Sequence, residues 1–342
     1  MTRATYRDAG VDIEAGNRAV ELMKGAVKST YGKEVLAGIG AFGGLYDAAA
    51  LKGMAAPVLV ASTDGVGTKT KIAAALGRYD TIGHDIVGHC VNDILVQGAK
   101  PLFFLDYVAF NRLIPERVAA IVTGIAEACK SVSCALLGGE TAEMPGVYAD
   151  NEFDIVGTII GAVDRERIID GSKIATGDAI IGIASNGLHT NGFSLARRIF
   201  ANRDLRAVVP DLGLPLGEAL LAPHRPYLRE LERLWAAGLT VKGMAHITGG
   251  GLIENPPRIL PPGIAARIRR GSWPMPPLFA LLQKDGNVAP EEMARVFNCG
   301  LGMLLFVPAA ETDKALALLG ADAWRVGEAV KRSGEPVELV GA

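Results

Sequence analysis

The chain predicts an α/β (α+β) fold in two domains, an N-terminal mixed sheet covered by helices and a C-terminal α/β sandwich. Three observations predict it. Strand-like apolar runs alternate with longer helical stretches from residue 57 to residue 163. A polar interruption, D-R-E-R-I-I-D-G-S-K-I-A-T-G-D, then breaks the pattern before it restarts in A-I-I-G-I-A-S (179–185). Finally, 342 residues at 49% apolar content are enough for two cores and long for one ordinary domain. The boundary falls within 165–178, which sets the domains at 1–170 and 171–342.

In chain order, P-V-L-V-A (57–61) reads as a strand, and helical patterns follow over Val66–Leu76 and Thr81–Val96. P-L-F-F-L-D-Y-V-A-F (101–110) is the second strand. Pro115–Val132 is a helix with proline at its first position, where the missing N–H costs nothing. C-A-L-L (134–137) and F-D-I-V-G-T-I-I-G-A-V (153–163) complete a layered half, a sheet with helices over it. The second half repeats the style, with strands at 179–185, 264–268 and 301–307 and helices near 217–237 and 310–319. The glycine-rich segment 26–44 stands outside this alternation, and its position suits a flap over a nucleotide.

Charge excludes some function classes. The 35 basic and 37 acidic residues are spread along the chain for a net charge of −2, which gives no electrostatic case for nucleic acid or a membrane surface. The start, M-T-R-A-T-Y-R-D, lacks the apolar core of a secretory signal, and no apolar run approaches the roughly 18 residues of a membrane span. A cytoplasmic protein with small molecules or other subunits as partners is the expectation. Cys90, Cys129, Cys134 and Cys299 lie in apolar segments without zinc spacing, so they read as reduced core thiols.

The chemistry concentrates in strand-end turns. S-T-D-G-V-G-T-K (62–69) closes a strand and opens a helix, where free backbone N–H groups and the helix dipole favour an anion such as phosphate. It is not a Walker A loop, and Asp64 would repel phosphate unless a divalent cation, magnesium by preference, sat between them. Taken alone, such a turn is also ordinary punctuation. Asp85, His89, Asn92 and Asp93 fall on one helical face, which by itself reads equally as a solvated stripe. G-G-E-T-A-E-M-P-G (138–146) puts Glu140, Thr141 and Glu143 at another strand end, and carboxylates at neighbouring strand ends can converge on a cation. In the second half, A-S-N-G-L-H-T-N-G-F-S-L (184–195) and H-I-T-G-G-G-L-I-E-N (246–255) are further glycine-rich helix entrances. The first is open to a plainer reading, an N-cap supplied by Thr190 or Asn191.

T-D-G-V-G-T-K, C-V-N-D-I-L-V-Q-G-A-K-P-L-F-F-L-D-Y, L-L-G-G-E-T-A-E-M-P-G, H-T-N-G-F-S-L, H-I-T-G-G-G and F-N-C-G-L-G-M, in this order, resemble the phosphoribosylformylglycinamidine cyclo-ligase (aminoimidazole ribonucleotide synthetase) family. The similarity runs over nearly the whole chain, from Y-R-D-A-G-V-D-I-E-A-G-N (6–17) onward. The resemblance implies ATP-dependent closure of an imidazole ring in purine biosynthesis, with ATP and Mg2+ as cofactors. It implies a homodimer that pairs its N-terminal sheets and an active-site cleft completed by the C-terminal domain. Its residue assignments are Asp64, Asp93 and Glu140 as metal ligands, and Lys69 as a phosphate contact. Thr63, Gly65, Gly67, Thr68, Asn92, Asp106, Thr141 and Lys28 are assigned to the nucleotide. Ser185, Asn186, Gly187, His189, Asn191, Thr248, Gly249, Gly250 and Gly251 would grip the ribose phosphate of the substrate. His189 is also a candidate for handling a proton, since an unperturbed imidazole titrates near neutrality.

Two other classes compete. G-I-G-A-F-G (38–43) with Asp64 about 20 residues on matches a dinucleotide fingerprint and would make the chain an NAD-dependent oxidoreductase. A non-catalytic, cation-binding regulatory module is the third reading.

Overall fold

A computed structural model describes residues 5–341 as two compact units, residues up to Ile94 with Lys100–Arg165, and Leu95–Ala99 with the chain from Glu166 onward. The division at Arg165–Glu166 coincides with the polar interruption, whose charged side chains have no apolar face to bury.

The first unit begins with helix α1 (Ile13–Lys28), whose first turn is capped by the Asp12 carboxylate accepting from the amides of Glu14 and Ala15. A two-stranded antiparallel hairpin, β1 (Val35–Ala37) and β2 (Leu45–Tyr46), follows. Then come β3 (Pro57–Gly65), α2 (Lys69–Leu76), α3 (Ile82–Leu95), β4 (Lys100–Phe110), α4 (Pro115–Ser131), β5 (Ala135–Glu143) and β6 (Phe153–Asp164). The four long strands form one mixed sheet in the order β3-β6-β4-β5, parallel only between β4 and β5. Helix α3 lies directly on β6 because two same-face positions of that strand are glycine. A side chain on Gly157 would come within 2.7 Å of Ile86, and one on Gly161 within 2.5 Å of Ile94.

The consequence for α3 departs from the sequence reading. Besides Ile82, Ile86, Val87, Cys90, Val91 and Ile94, the polar residues Asp85, His89 and Asn92 are buried. The stripe is therefore not a solvated face, and such groups persist in a core only with partners. On the opposite face of the sheet Pro57, Leu59, Ala61 and Thr63 are exposed, Leu59 at 63%.

The second unit is built on a six-stranded sheet. Its elements are β7 (Ala179–Ala184), α5 (Phe193–Ile199), a hairpin of β8 (Val208–Val209) and β9 (Leu214–Pro215), α6 (Leu216–Leu220), α7 (Leu228–Ala236), β10 (Gly243–His246), α8 (Gly251–Glu254), β11 (Ile264–Arg269), α9 (Pro277–Gly286), α10 (Pro290–Val296), β12 (Leu301–Val307), α11 (Thr312–Leu319), β13 (Ala323–Lys331) and β14 (Val337–Val340). The strand order is β10-β12-β7-β13-β11-β14, antiparallel except for β11 with β14. The helical stretch at 217–237 divides into α6 and α7, because Pro223 and Pro226 in the A-P-H-R-P linker cannot continue a helix. Strands β7 and β12 are buried on both faces and read as plain apolar runs. β13, with its Arg, Gly and Glu, does not.

Candidate active site

In the first unit the site forms where the end of β3 faces α3. Strand alternation turns Ser62 and Asp64 toward the helix. There His89 Nε2 lies 2.8 Å from Asp64 Oδ2 and 3.7 Å from Asp93 Oδ2, and Ser62 Oγ donates to Asp93 Oδ2 at 3.0 Å. Burial alone would raise the Asp64 carboxyl, but the hydrogen bond and charge of His89, helped by the Gly65 amide, hold it below its ordinary value. Burial alone would lower His89, and the bond to Asp64 with the charges of Asp93, Asp64 and Asp85 holds it above its ordinary value instead. Two carboxylates, 43% and 27% exposed, thus converge on one cation-sized charge. Hard oxygen donors that still reach solvent fit Mg2+, which retains several of its waters.

Gly65, Val66, Gly67 and Thr68 carry the chain from β3 into α2. Gly67 takes φ +68°, a conformation that costs glycine nothing. Thr68 is the N-cap of α2, and the Thr63 hydroxyl meets that of Thr158 at 2.8 Å on the outer face of the sheet. Asn92 is fully buried on α3.

Two assignments are corrected by the geometry. Lys69 does not face a phosphate: its ammonium is wholly buried and held 2.7 Å from Asp85 Oδ1. Glu140 does not join Asp64 and Asp93. In the sheet, Asp64 stands opposite Gly157, Gly157 opposite Asp106 and Asp106 opposite Gly139, so Glu140 is three strand spacings away, roughly 14 Å. As the neighbour of Gly139 it also points to the other face of the pleat.

Glu140 and Thr141 line a different feature, a cavity of about 680 Å³ bordered by Asp106, Val122 and the glycine-rich turn Gly38–Gly44. Asp106 does not simply face solvent. Burial against these walls pushes its carboxyl up to about 7. Lys28 is exposed in the last turn of α1 and is not among the cavity walls. The NAD fingerprint fails here as well. Gly38–Gly43 joins two antiparallel strands, whereas a dinucleotide turn must lead from a strand into a helix whose N-terminus meets the pyrophosphate. Glu143 is structural, accepting from the amides of Asp12 and Leu113.

In the second unit, the turn after β7 is organised by Asn298. Its Oδ1 takes the Ser185 hydroxyl at 3.0 Å and the Gly300 amide at 2.9 Å, and its Nδ2 donates to the Gly187 carbonyl at 2.9 Å. Asn186 donates its amide to His189 Nε2 at 3.2 Å, and His189 takes the left-handed φ of +63°. That nitrogen therefore presents its lone pair to Asn186, so His189 holds the turn through Nε2. Neither Thr190 nor Asn191 caps α5; Gly192 does, at φ +80°. The Thr248–Gly251 turn is held by Asn255, whose Nδ2 reaches the carbonyls of Thr248, Gly249 and Gly251, and by the Gly251 amide, which donates to the Thr248 carbonyl at 3.0 Å. Both helices entered here are short, seven and four residues, so backbone amides and not a helix dipole must supply any anion affinity. Asn298, Asn255, His224 and His246 went unmarked in the sequence reading. Asn298 sits inside the quoted F-N-C-G-L-G-M motif, which was the available signal.

All four cysteines are free and buried, and among the described residues no helix is long and apolar enough to cross a membrane. Two family models match the chain: AIR synthase related protein, N-terminal domain, over residues 46–163, and AIR synthase related protein, C-terminal domain, over 175–340. The phosphoribosylformylglycinamidine cyclo-ligase of Trichlorobacter lovleyi is 53% identical, covering 99% of this chain and 98% of its own length. That of Geobacillus kaustophilus is also 53% identical, over 96% of each. Among solved structures, hydrogenase maturation protein HypE in complex with ATP superposes with a TM-score of 0.70 at 17% identity, over 97% of this chain and 94% of that one. Thiamine-monophosphate kinase from Stenotrophomonas maltophilia gives 0.67 at 20% identity, over 95% and 96%. These two likenesses show the shared fold.

Proposed function

The chain belongs to the phosphoribosylformylglycinamidine cyclo-ligase family, and from that premise we propose a division of labour among its residues. The reaction takes formylglycinamidine ribonucleotide and ATP to aminoimidazole ribonucleotide, ADP and phosphate. A formyl oxygen is a poor leaving group, so the γ-phosphoryl group is first transferred to it. An amidine nitrogen of the same molecule then forms the new C–N bond, the C–O bond to the phosphorylated oxygen breaks, and the nitrogen's proton leaves with the basic phosphate. Most of the rate in such a transfer comes from positioning and charge neutralisation.

Asp64 and Asp93 would hold Mg2+ at the end of β3, and the amides of Gly67 and Thr68 receive phosphate oxygens at the entrance of α2, while the Gly65 amide is taken by Asp64 Oδ1 at 2.7 Å. The ion supplies neutralisation of the triphosphate charge when bound. Ser62 and His89 orient the two carboxylates. The turns 185–191 and 248–251 hold the ribose phosphate of the substrate through backbone amides and the side chains of Ser185, Asn186 and Asn191. Asp106 and Thr141, with the Gly38–Gly44 turn, border a largely apolar cavity suited to the nucleotide. A homodimer formed through the exposed face of the first sheet would cover Leu59 and its neighbours, and free buried thiols suit a cytoplasmic setting.

The observation that carries this reading is the convergence of Asp64 and Asp93 on His89 beside a glycine turn that opens a helix. Formylglycinamidine ribonucleotide with Mg-ATP should yield aminoimidazole ribonucleotide, and Asp64→Asn should lose at least a hundredfold in turnover and weaken its magnesium dependence. Full turnover and an unchanged magnesium requirement in that variant would refute the assignment. Sedimentation of the wild type against Leu59→Lys tests the dimer.

A further inference from the structure

Three of the five histidines gather in the second unit: His189 in the turn after β7, His224 in the linker between α6 and α7, and His246 at the end of β10. All three are buried, His189 and His224 to 1% exposure. The His189 and His224 rings stack with centroids 3.9 Å apart and planes 21° from parallel. His224 Nε2 meets His246 Nε2 at 2.9 Å, and His224 Nδ1 meets the Thr190 hydroxyl at 3.4 Å. Thr190 in turn receives Asn191 Nδ2 at 3.3 Å. The floor of the cluster is Gly302 on β12, where a side chain would strike Tyr227 Oη at 1.9 Å and His189 Cε1 at 2.6 Å. The space is built for these rings.

A 2.9 Å contact between two imidazole nitrogens needs one N–H facing one lone pair. Thr190 Oγ1 accepts from Asn191 Nδ2 and keeps both its own proton and a second lone pair for His224 Nδ1, so that contact is satisfied in either imidazole tautomer. The links run without a break from Asn191 through Thr190 and His224 to His246.

We propose that His224 is a positioning residue for the substrate turn, its flat face holding His189 and its Nδ1 orienting Thr190 and, through it, the Asn191 amide. The proposal rests on the reading that the turn 185–191 binds substrate. Three imidazoles with ligand atoms within 4.8 Å of one another also suggest a transition-metal site. Two features oppose it. Nearly parallel stacked rings send their in-plane lone pairs side by side and not to a common point, and His189 Nε2 is engaged by the Asn186 amide.

The test compares His224→Phe, which keeps the flat ring and loses both hydrogen bonds, with Thr190→Val, which is nearly isosteric and cuts one link, and with the double variant. Each single change should raise the KM for formylglycinamidine ribonucleotide about tenfold while kcat and the KM for ATP stay within twofold, since one buried polar link is lost. The double variant should be no worse than the poorer single one, because both cut the same chain. Additive losses, or an equal rise in the KM for ATP, would overturn the proposal. Nitrogen-15 spectra of the histidines need no substrate, and so separate this proposal from the functional reading. They should show Thr190→Val disturbing the Nδ1 resonance of His224. An undisturbed resonance, or one equivalent of Zn2+ bound by the wild type and lost in His224→Phe, would sink it.

Discussion

Replacing Lys69 with methionine separates the two roles this residue has been given. The ammonium and the Asp85 carboxylate are both 0% exposed and 2.7 Å apart, so removing either leaves the other's charge buried without this ion pair. Breaking such a pair from one side costs about 3–5 kcal/mol, whereas replacing both members with apolar groups of similar volume is often close to neutral. Burial by itself drives the Lys69 ammonium below its ordinary pKa, and Asp85 offsets part of that, so the pair is held together by mutual need. In a unit of this size each kcal/mol moves the midpoint by roughly 2–4 °C, and Lys69→Met or Asp85→Asn should lower the melting of the first unit by about 10 °C or more. The double variant Lys69→Met/Asp85→Leu should recover most of that loss. Thermal and urea melts followed by circular dichroism measure the shift, and the KM for ATP is read on the same samples. A phosphate contact predicts the reverse pattern, an unchanged melt with a sharply raised KM. Single variants costing under about 1 kcal/mol would refute the buried-pair argument.

Three further outcomes are expected. His89 has its folded pKa above the unfolded value, so its extra stability is full below about pH 6.5 and is lost as pH rises through the folded value; the gap between wild type and His89→Gln in metal-free buffer should narrow on that path, and a gap that widens would contradict it. Asp106, pushed up to about 7, contributes fully only below the ordinary carboxylate value of about 3.9 and loses that contribution steadily as pH climbs from there through about 7, so Asp106→Asn should gain on the order of 2 kcal/mol at pH 8, part of it already at pH 5, and little below pH 4; matching melts at pH 4 and pH 8 would show that its burial is not felt. Gly83→Ala would set a methyl 2.3 Å from the Ile121 carbonyl and the Ile125 amide of α4, backbone that cannot yield, and should cost about 3 kcal/mol in urea unfolding.

Much of the fold was legible because it is written locally. β3, β4 and β6 are apolar runs, and α3 and α4 carry helical spacing with Pro115 at the first position of α4. β13 was hidden by its arginine, glycine and glutamate, and α1 by a face that buries only Ala19, Met23 and Val27. Asp64 could be singled out because a carboxylate in a glycine turn at a strand end is a local oddity. Its partner His89 lay on a stripe that also reads as a wet surface, and only packing against β6 shows that the stripe is core.

By itself the sequence determined the family, the alternation of elements and the turns where polar groups collect, since periodicity, turn chemistry and motif order need no knowledge of what lies nearby in space. The tertiary structure alone decided which of those groups meet. The order β3-β6-β4-β5 separates Glu140 from Asp64, burial turns Lys69 from phosphate to Asp85, and His224 reaches His189 and His246 across long loops. Each of these is a pairing between distant segments, set by how whole surfaces pack and not by any residue's own neighbours.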